Sequence, residues 1–407
     1  MAKIDILLNL INFTKDISAI KRDLAKIGFN SESELVTITQ NTIANILNRV
    51  IDKEISYNLL EEWANLIECR EDIGYEDEIL QEIIFELANP CLYREIDERK
   101  ICMILDKIKS TFTITDDCHM TIESNPGEVD LRYLTKLVQL GFNRISFGVQ
   151  TFDDKALTML HRSHNGEKAK EAVYDAKEAG FADINIDLIY GLPRQSLDDI
   201  KRNLTIVEEL PINHISTYGL QVEVGTYLYH LVQKNLISIP SESIDEAMYD
   251  TMMEGLKELG FERYEISNFS KDNSYSRHNL KYWHYVDYLG FGAGAHSFYN
   301  GVRRSNNRNV MPYIQSVDRY VMPTIDTETI TLERAQEDFC FLALRTKWGL
   351  DEQKFEDTFG VSVYDLFGTT LEDLVSKGLL EYQNGSYHLT AEGAKHGNYV
   401  FSQFIRE

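Results

Sequence analysis

Apolar residues recur every three or four positions through the first 95 residues, the spacing of one face of a helix. The longest such stripe comprises Leu10, Phe13, Ile17, Ile20 and Leu24. Ser31 followed by Glu34 fits a capping box, and Ser56 precedes a second stripe through Leu59, Trp63 and Leu66. Residues 1–95 are therefore predicted to form an all-helical segment.

From about residue 119 the pattern changes to short β-branched or aromatic runs, and amphipathic helical stretches follow the first three of them. The runs are "HMTIES", "RISFGV", "DINIDLIYG" and "HISTYGL". This alternation predicts an α/β fold with a parallel sheet covered by helices. Near the end of the chain, Asn384-Gly385 between two short runs predicts a hairpin. Helices followed by a hairpin suggest a winged-helix-like domain. The predicted domains are 1–95, 96–325 and 326–407.

Charge and hydropathy exclude several partners. The net charge of −24 gives no attraction to phosphate backbones or anionic lipid. Residues 330–407 carry seven Lys or Arg against thirteen Asp or Glu, a balance of −6, so the winged-helix-like domain is not expected to bind nucleic acid. No run of eighteen apolar residues is present, so we expect no membrane span and a cytoplasmic protein. The five cysteines show no CxxC spacing, which favours reduced thiols.

Polar residues mark the ends of successive predicted strands. Glu123, Gln150, Asp187 and Tyr218 lie at or near these ends, and Arg162 lies on the predicted helix after the Gln150 strand. In parallel α/β barrels the carboxyl ends of the strands form the mouth that binds ligands. Together the residues favour a shared ligand site. For any one of them, a solvated cap or a surface arginine is an equally simple interpretation.

Several strings occur together, in order, from about residue 98 to the end. They are "TIESNPGEVD", "GFNRISFGVQTFDDKAL", "LHRSHN", "NIDLIYGLPRQS", "FERYEISNFS", "SRHNLKYWHYVDYLGFGAGAHSF" and the "KGLL…LTAEG" ending. This set resembles the HemW heme-chaperone branch of the oxygen-independent coproporphyrinogen oxidase family, within the radical S-adenosylmethionine (SAM) superfamily. The resemblance implies a (βα) barrel and a SAM pocket contacted by Glu123, Gln150, Arg162 and Asp187.

The string "RHNLKYW" matches the HNxxYW motif of that branch, which is linked there to heme binding. The matching residues are His278, Asn279, Tyr282 and Trp283. An imidazole can ligate heme iron, and flat aromatic rings suit a porphyrin, so His278 is the candidate iron ligand. The alternative is a histidine packed in an aromatic corner. His284 and His296 lie close enough in sequence to serve as substitute ligands.

The chain departs from the superfamily at its cluster motif. It has no CxxxCxxC to hold a [4Fe–4S] cluster and no GGTP-like turn, and four of the six expected barrel strands are found. A partial barrel is therefore predicted, with "HMTIES" exposed at the sheet edge. The favoured hypothesis is a HemW-like protein that binds heme or a related tetrapyrrole, passes it to an acceptor protein, and holds SAM weakly without radical catalysis.

Two other hypotheses stay open. One is a coproporphyrinogen III oxidase-type enzyme whose cluster comes from an unconventional source. The other is a non-catalytic interaction protein or decayed fusion, in which residues 1–95 bind a protein partner.

Overall fold

The computed structural model describes residues 3–27, 34–68, 70, 72–88, 98–223, 227–234 and 236–406. Two units, Met1–Thr113 and Ile114–Glu407, divide the chain. The finer boundaries at residues 95 and 325 stay a prediction. Within the described ranges, no helix is both long and apolar enough to cross a bilayer.

The N-terminal unit mixes helices with a small sheet. Its elements are α1 (Lys3–Ile11), α2 (Ile17–Leu24), β1 (Val36–Ile38), α3 (Gln40–Ile51), α4 (Tyr57–Asn65), β2 (Ile73–Tyr75), α5 (Glu78–Ala88) and α6 (Glu98–Thr111). Strands β1 and β2 pair in parallel. The prediction of an all-helical segment was therefore wrong. Each of these strands is three residues long, too short for an alternating pattern to be told from helical spacing.

The long apolar stripe is divided between two helices. Helix α1 ends at Ile11, Phe13 has a φ of 45°, and the Asp16 side chain accepts a hydrogen bond from the Ser18 amide at the start of α2. All five stripe residues are nevertheless buried. Ser56, which precedes the second stripe, is the N-cap of α4, and its side chain accepts a hydrogen bond from the backbone N–H of Leu59. Ser31 lies outside the described residues.

The second unit contains the predicted alternation of strands and helices. Its first half comprises β3 (Thr121–Ser124), a 3₁₀ turn (Pro126–Glu128), α7 (Leu131–Gln139), β4 (Arg144–Gln150), α8 (Asp154–Met159), α9 (Gly166–Ala179), β5 (Asp183–Tyr190), α10 (Leu197–Glu209), β6 (His214–Gly219), α11 (Tyr227–Gln233), α12 (Glu242–Glu258), β7 (Glu262–Arg263) and β8 (Asn268–Ser270). Its second half comprises α13 (Arg277–Trp283), β9 (His296–Tyr299), β10 (Val302–Asn306), α14 (Val310–Asp318), β11 (Thr324–Thr329), α15 (Leu332–Leu344), β12 (Leu350–Asp351), α16 (Glu352–Phe359), α17 (Val363–Ser376), β13 (Leu380–Gln383), β14 (Ser386–Leu389), α18 (Ala391–Lys395) and α19 (Gly397–Ser402).

A six-stranded sheet with the order β3-β4-β5-β6-β8-β7 organises the first half of this unit. Strands β3 to β6 are parallel, and β8 and β7 continue the sheet antiparallel. The four predicted strands are confirmed, and so is the edge position of β3 within the described sheet. Ile145, Phe147 and Val149 alternate along β4 on the buried apolar face, where α9 packs. The opposite face is polar.

The end of the chain forms a helical unit with a small antiparallel sheet of order β12-β14-β13. The predicted hairpin is confirmed: Asn384 and Gly385 join β13 to β14 with φ values of 53° and 83°. Positive φ at both turn residues is the geometry that Asn-Gly favours. Phe339, Phe355 and Phe367 belong to the core beneath this sheet.

A buried hydrogen-bond chain attaches α13 to the main sheet. The amide of Asn185 donates to Ser146 and Asp187, so its oxygen accepts from His214 Nδ1 at 2.6 Å. His214 Nε2 then accepts from the Tyr264 hydroxyl at 2.7 Å. That hydroxyl accepts in turn from the backbone N–H of Ser276, the N-cap of α13, at 3.0 Å. Burial holds the pKa of His214 well below its usual value, so the ring is neutral. The tautomer with the proton on Nδ1 satisfies every hydrogen bond in the chain.

The N-terminal unit contains a buried ion pair that gives a test of its stability. Arg70 Nε and Nη2 each lie 2.8 Å from a carboxylate oxygen of Asp72, whose side chain is 0% exposed. Burial alone would raise the pKa of Asp72, but hydrogen bonds from Arg70 and Lys3 outweigh it and leave the pKa below its usual value.

We predict that Asp72→Asn lowers the free energy of unfolding by about 3–5 kcal/mol at neutral pH, because Arg70 and Lys3 both lose the charge of the buried carboxylate that pairs with them. Since the folded pKa is depressed, the contribution is present above the unfolded pKa of about 3.9 and is lost as the pH falls through the folded value. Urea unfolding of the N-terminal unit between pH 3 and pH 7 measures both the loss of free energy and its dependence on pH. Asp23→Asn removes a more exposed pair with Lys15 and Lys26 and serves as the control. Equal losses in the two variants would contradict the prediction.

We also predict that Tyr264→Phe lowers the free energy of unfolding by about 1–3 kcal/mol, because buried partners on His214 and Ser276 lose their hydrogen bonds. Amide hydrogen exchange should accelerate at Ser276 and in the first turn of α13. Tyr174→Phe removes an exposed hydroxyl bonded to Glu209 O and should change stability by less than about 0.5 kcal/mol. Unchanged exchange in α13 of the Tyr264 variant would refute the anchoring role.

Candidate functional site

Two rows of polar side chains cross the sheet on the face away from α9. The first row contains one residue from each of four neighbouring strands, and each residue lies directly opposite the next. They are Glu123 on β3, Ser146 on β4, Asn185 on β5 and His214 on β6. In the second row Asp187 on β5 pairs with Ser216 on β6. Directly opposed residues share a face of a sheet. The polar sheet face is therefore continuous from the β3 edge to β6.

Three of the predicted strand-end residues lie on this face. Burial raises the pKa of Asp187, hydrogen bonds from Asn185 and Ser216 oppose the rise, and the negative charge of Glu123 adds to it. Burial also raises the pKa of Tyr218, and Asp187 again contributes. Glu123 itself is exposed. Burial and the charge of Glu123 thus both favour the protonated forms of Asp187 and Tyr218.

Gln150 and Arg162 converge above Gly148, together with Asn125. A Cβ on Gly148 would lie 2.8 Å from Arg162 Nη2 and 3.0 Å from Gln150 Nε2, so the missing side chain leaves room for both. Arg162 Nη2 donates to Asn125 Oδ1 and to Gly148 O, each at 3.0 Å. Gln150 has a φ of 68°, a left-handed conformation that is strained for a residue other than glycine.

The placement of Arg162 corrects the sequence prediction. Helix α8 ends at Met159, and His161 adopts a φ of 52°, so Arg162 lies in the loop before α9 and not on a helix. Its Nε is buried without a hydrogen-bond partner among the described residues. A loop position lets the guanidinium turn back toward the sheet.

We call the four predicted ligand-site residues the rim: Glu123, Gln150, Arg162 and Asp187. Sequence analysis did not identify the buried residues beneath this rim. Arg144 at the start of β4 is 5% exposed, and its Nε has no hydrogen-bond partner in the described part of the chain. Burial lowers the pKa of Arg144, while the charges of Asp183, Asp187 and Glu123 raise it. The signal was the alternation of polar and apolar residues in "RIS" and "DINID", which marks a polar sheet face.

Two motif residues, His278 and Tyr282, lie together on one side of α13. His278 is exposed, and its Nε2 lies 2.7 Å from the Tyr282 hydroxyl. Although much of the side chain is exposed, desolvation lowers the pKa of His278, and Lys281 lowers it further. The charge of Glu123 influences the pKa values of both rings. The motif therefore lies beside the polar sheet face, and His278 is in the first turn of α13.

The other motif residues have different surroundings. The Arg345 guanidinium lies 4.9 Å from the Trp283 ring, and the Trp283 Nε1 is buried with no partner among the described residues. The Asn279 backbone N–H donates to Ser276 Oγ at 3.4 Å, within the N-cap of α13. The structure thus brings His278 and Tyr282 to the sheet and turns Trp283 toward α15.

The described thiols do not form a metal site. Cys340 is buried in the core of the C-terminal helices, and burial raises its pKa well above the usual value. Cys102 and Cys118 belong to separate units, and Cys69 and Cys91 fall outside the described residues. Among described residues, no three His, Cys, Asp or Glu side chains are placed to hold a metal ion.

Comparisons with known proteins agree with this architecture. A family model of the radical SAM superfamily matches residues 59–205, and one of the HemN C-terminal domain matches residues 330–394. The first match begins well before residue 98, where the sequence resemblance was expected to start. Coproporphyrinogen III oxidase (HemN) from Escherichia coli superposes with a TM-score of 0.66 at 21% identity, covering 82% of this chain and 76% of that chain. It establishes a shared fold.

Two curated proteins are more similar to this chain in sequence than the HemN structure is. The heme chaperone HemW of Bacillus subtilis is 35% identical over 313 residues, covering 77% of this chain and 83% of that protein. The heme chaperone HemW of Haemophilus influenzae is 29% identical over 368 residues, covering 88% and 91%. This chain belongs to the HemW heme-chaperone family of radical SAM-type proteins.

Proposed function

We propose that this protein binds heme as cargo on α13 and passes it to an acceptor protein without radical chemistry. The observation that carries the proposal is the exposed His278, held at Nε2 by Tyr282 on a helix that is itself anchored to the sheet. Family relatives named heme chaperones support the class of cargo.

The chemistry of His278 suits a heme ligand. Its lowered pKa keeps the imidazole neutral near neutral pH, so one ring nitrogen offers a lone pair to iron. The bond to Tyr282 holds the ring in one orientation, as partners of ligating histidines commonly do. Tyr282 also packs edge-on against Tyr288, with ring centroids 4.6 Å apart, which adds flat apolar surface beside the imidazole.

The family implies a [4Fe–4S] cluster and SAM, and the two fit this chain differently. A cluster needs three thiolates at one site, which the described residues do not supply. We derive no step through it. The rim residues suit a SAM-like ligand better, since Arg162 Nε is buried with no hydrogen-bond partner in the described part of the chain, and Asp187 and Glu123 are acidic. We propose weak SAM binding there, since no cluster iron anchors the ligand.

The strands and helices also support an assignment of each domain to a known type of fold. We infer a partial barrel of the radical SAM type from four parallel strands, and a winged-helix-like C-terminal domain from α15–α17 with the β12-β14-β13 sheet. For the N-terminal unit, which has its own hydrophobic core, we propose a role in binding a protein partner. A coproporphyrinogen oxidase-type enzyme remains the second candidate, because the rim residues Glu123, Gln150, Arg162 and Asp187 are retained.

We predict that His278→Ala shifts the Soret band of added ferric heme and weakens its binding, because the iron loses an imidazole. Tyr282→Phe keeps the ring nitrogen but not its hydrogen bond, and should weaken binding roughly 10–100-fold. Spectrophotometric heme titration measures both effects. Since His278 is exposed, the change in unfolding free energy should stay near 0.5 kcal/mol. His396→Ala removes another exposed histidine and should leave the heme spectrum unchanged. An unaltered spectrum and affinity in His278→Ala would refute the ligand role.

We further predict that anaerobic reconstitution with iron and sulfide yields less than one cluster per chain. Dithionite should then release neither methionine nor 5′-deoxyadenosine from added SAM, because no cluster is bound to pass an electron from dithionite to SAM. Calorimetry on the same protein should register weak SAM binding at most. In Cys118→Ser the residual iron content should equal that of the parent. Stoichiometric cluster with matching SAM cleavage would instead establish the enzyme hypothesis.

A further inference from the structure

A cavity of about 480 Å³ lies beside the C-terminal end of α13, on the side that faces α15 and the β13–β14 hairpin. Its lining includes Trp283, His284, Phe339, Trp348, Lys354 and His388. Its volume is within the range of about 300–1,000 Å³ usual for sites of cofactors and other small molecules. None of the rim residues on the sheet lines it.

The walls are aromatic and fixed. The Trp348 ring lies 5.4 Å from the His284 ring, centroid to centroid, and is 40% exposed. Phe339 is buried and packs edge-on against Phe355 at 5.6 Å. A flat apolar ligand can therefore insert against Trp348 with Phe339 at the base.

His284 offers a ligand nitrogen inside this cavity. Its ring contacts Trp348, and neither ring nitrogen has a hydrogen bond to another described residue. Burial lowers the pKa of His284, and the charge of Lys354 lowers it further, so the imidazole is neutral with an available lone pair. His388, by contrast, is held through Nδ1 by the carbonyl of Lys347 at 3.1 Å.

Charge narrows the class of ligand. The Lys354 ammonium lies 5.9 Å from the Phe339 ring centroid and forms no ion pair with a described carboxylate. It suits a ligand that carries a carboxylate beside its aromatic surface. Lys347 is already engaged by Glu262 at 2.8 Å and Tyr275 at 2.6 Å.

We propose that this cavity is a second heme position, in which His284 ligates the iron, Trp348 covers the porphyrin and Lys354 pairs with a propionate. The inference rests on the proposed function, which it extends from one position to two. His278 and His284 are six residues apart, roughly 9 Å along the helix, and point to different sides. They therefore serve two irons, or one heme that moves between positions, and not the two faces of one iron.

The test is heme titration of the full chain and of His284→Phe, which keeps the ring contact with Trp348 but removes the ring nitrogens. We expect two spectrally distinct binding phases in the parent. His284→Phe should lose one phase and retain the one that His278→Ala removes. Lys354→Gln should weaken the His284 phase about tenfold, the loss of about 1.4 kcal/mol, whereas Lys257→Gln, on exposed α12 surface, should have no effect.

The outcomes separate the two proposals. A single phase that is abolished by His278→Ala and unchanged by His284→Phe and Lys354→Gln would overturn the cavity site and leave the proposed function standing. Heme binding that depends only on His284 and Lys354 would support the cavity and refute the His278 ligand. Binding unaffected by all three variants would overturn both. Because Lys354 is exposed, its variant gives a result even if His284→Phe fails to fold.

Discussion

The hydrogen bond between His214 and Tyr264 determines where α13 begins, and both candidate ligand positions depend on that helix. On one side it continues through Asn185 into the polar rows of the sheet, and on the other it reaches the N-cap at Ser276. Because each donor and acceptor is already assigned, one tautomer of His214 satisfies the whole chain. A buried network with a single consistent arrangement positions its ends rigidly. The orientation of His278 is thus a property of the sheet as well as of the helix.

Helix α13 is seven residues long, and its side chains divide the motif between two environments. His278 and Tyr282 are four residues apart and so lie on one side, where Glu123 influences both rings. Trp283 follows by about 100° around the axis and meets Arg345 on the other side. A short sequence motif therefore does not define one compact site. It joins the polar sheet face to the aromatic cavity near the C-terminal helices.

The main sheet and the hairpin were predictable because their signals are local. Seven- and eight-residue strands such as β4 and β5 show β-branched alternation, and Asn384-Gly385 specifies its own turn. The three-residue strands β1 and β2 carry no comparable signal. The break at Phe13 was also hidden, since the apolar spacing continues through it and both helices bury the same stripe.

The candidate site was predictable only at its rim, where polar residues at strand ends are visible in the sequence. Arg144, Tyr264 and the loop conformation of Arg162 depend on contacts between distant segments, which spacing does not encode.

The polar sheet face contains buried charged groups that do not stabilise the fold, which suggests a role in binding. Arg144 is almost fully buried, its Nε lacks a hydrogen-bond partner among the described residues, and burial raises the pKa of Asp187. Desolvating such groups costs several kcal/mol per ion unless they are well paired, and apolar residues of similar volume would be at least as stable. A sheet selected for stability alone would lose these charges. This face is therefore suited to hold a polar ligand.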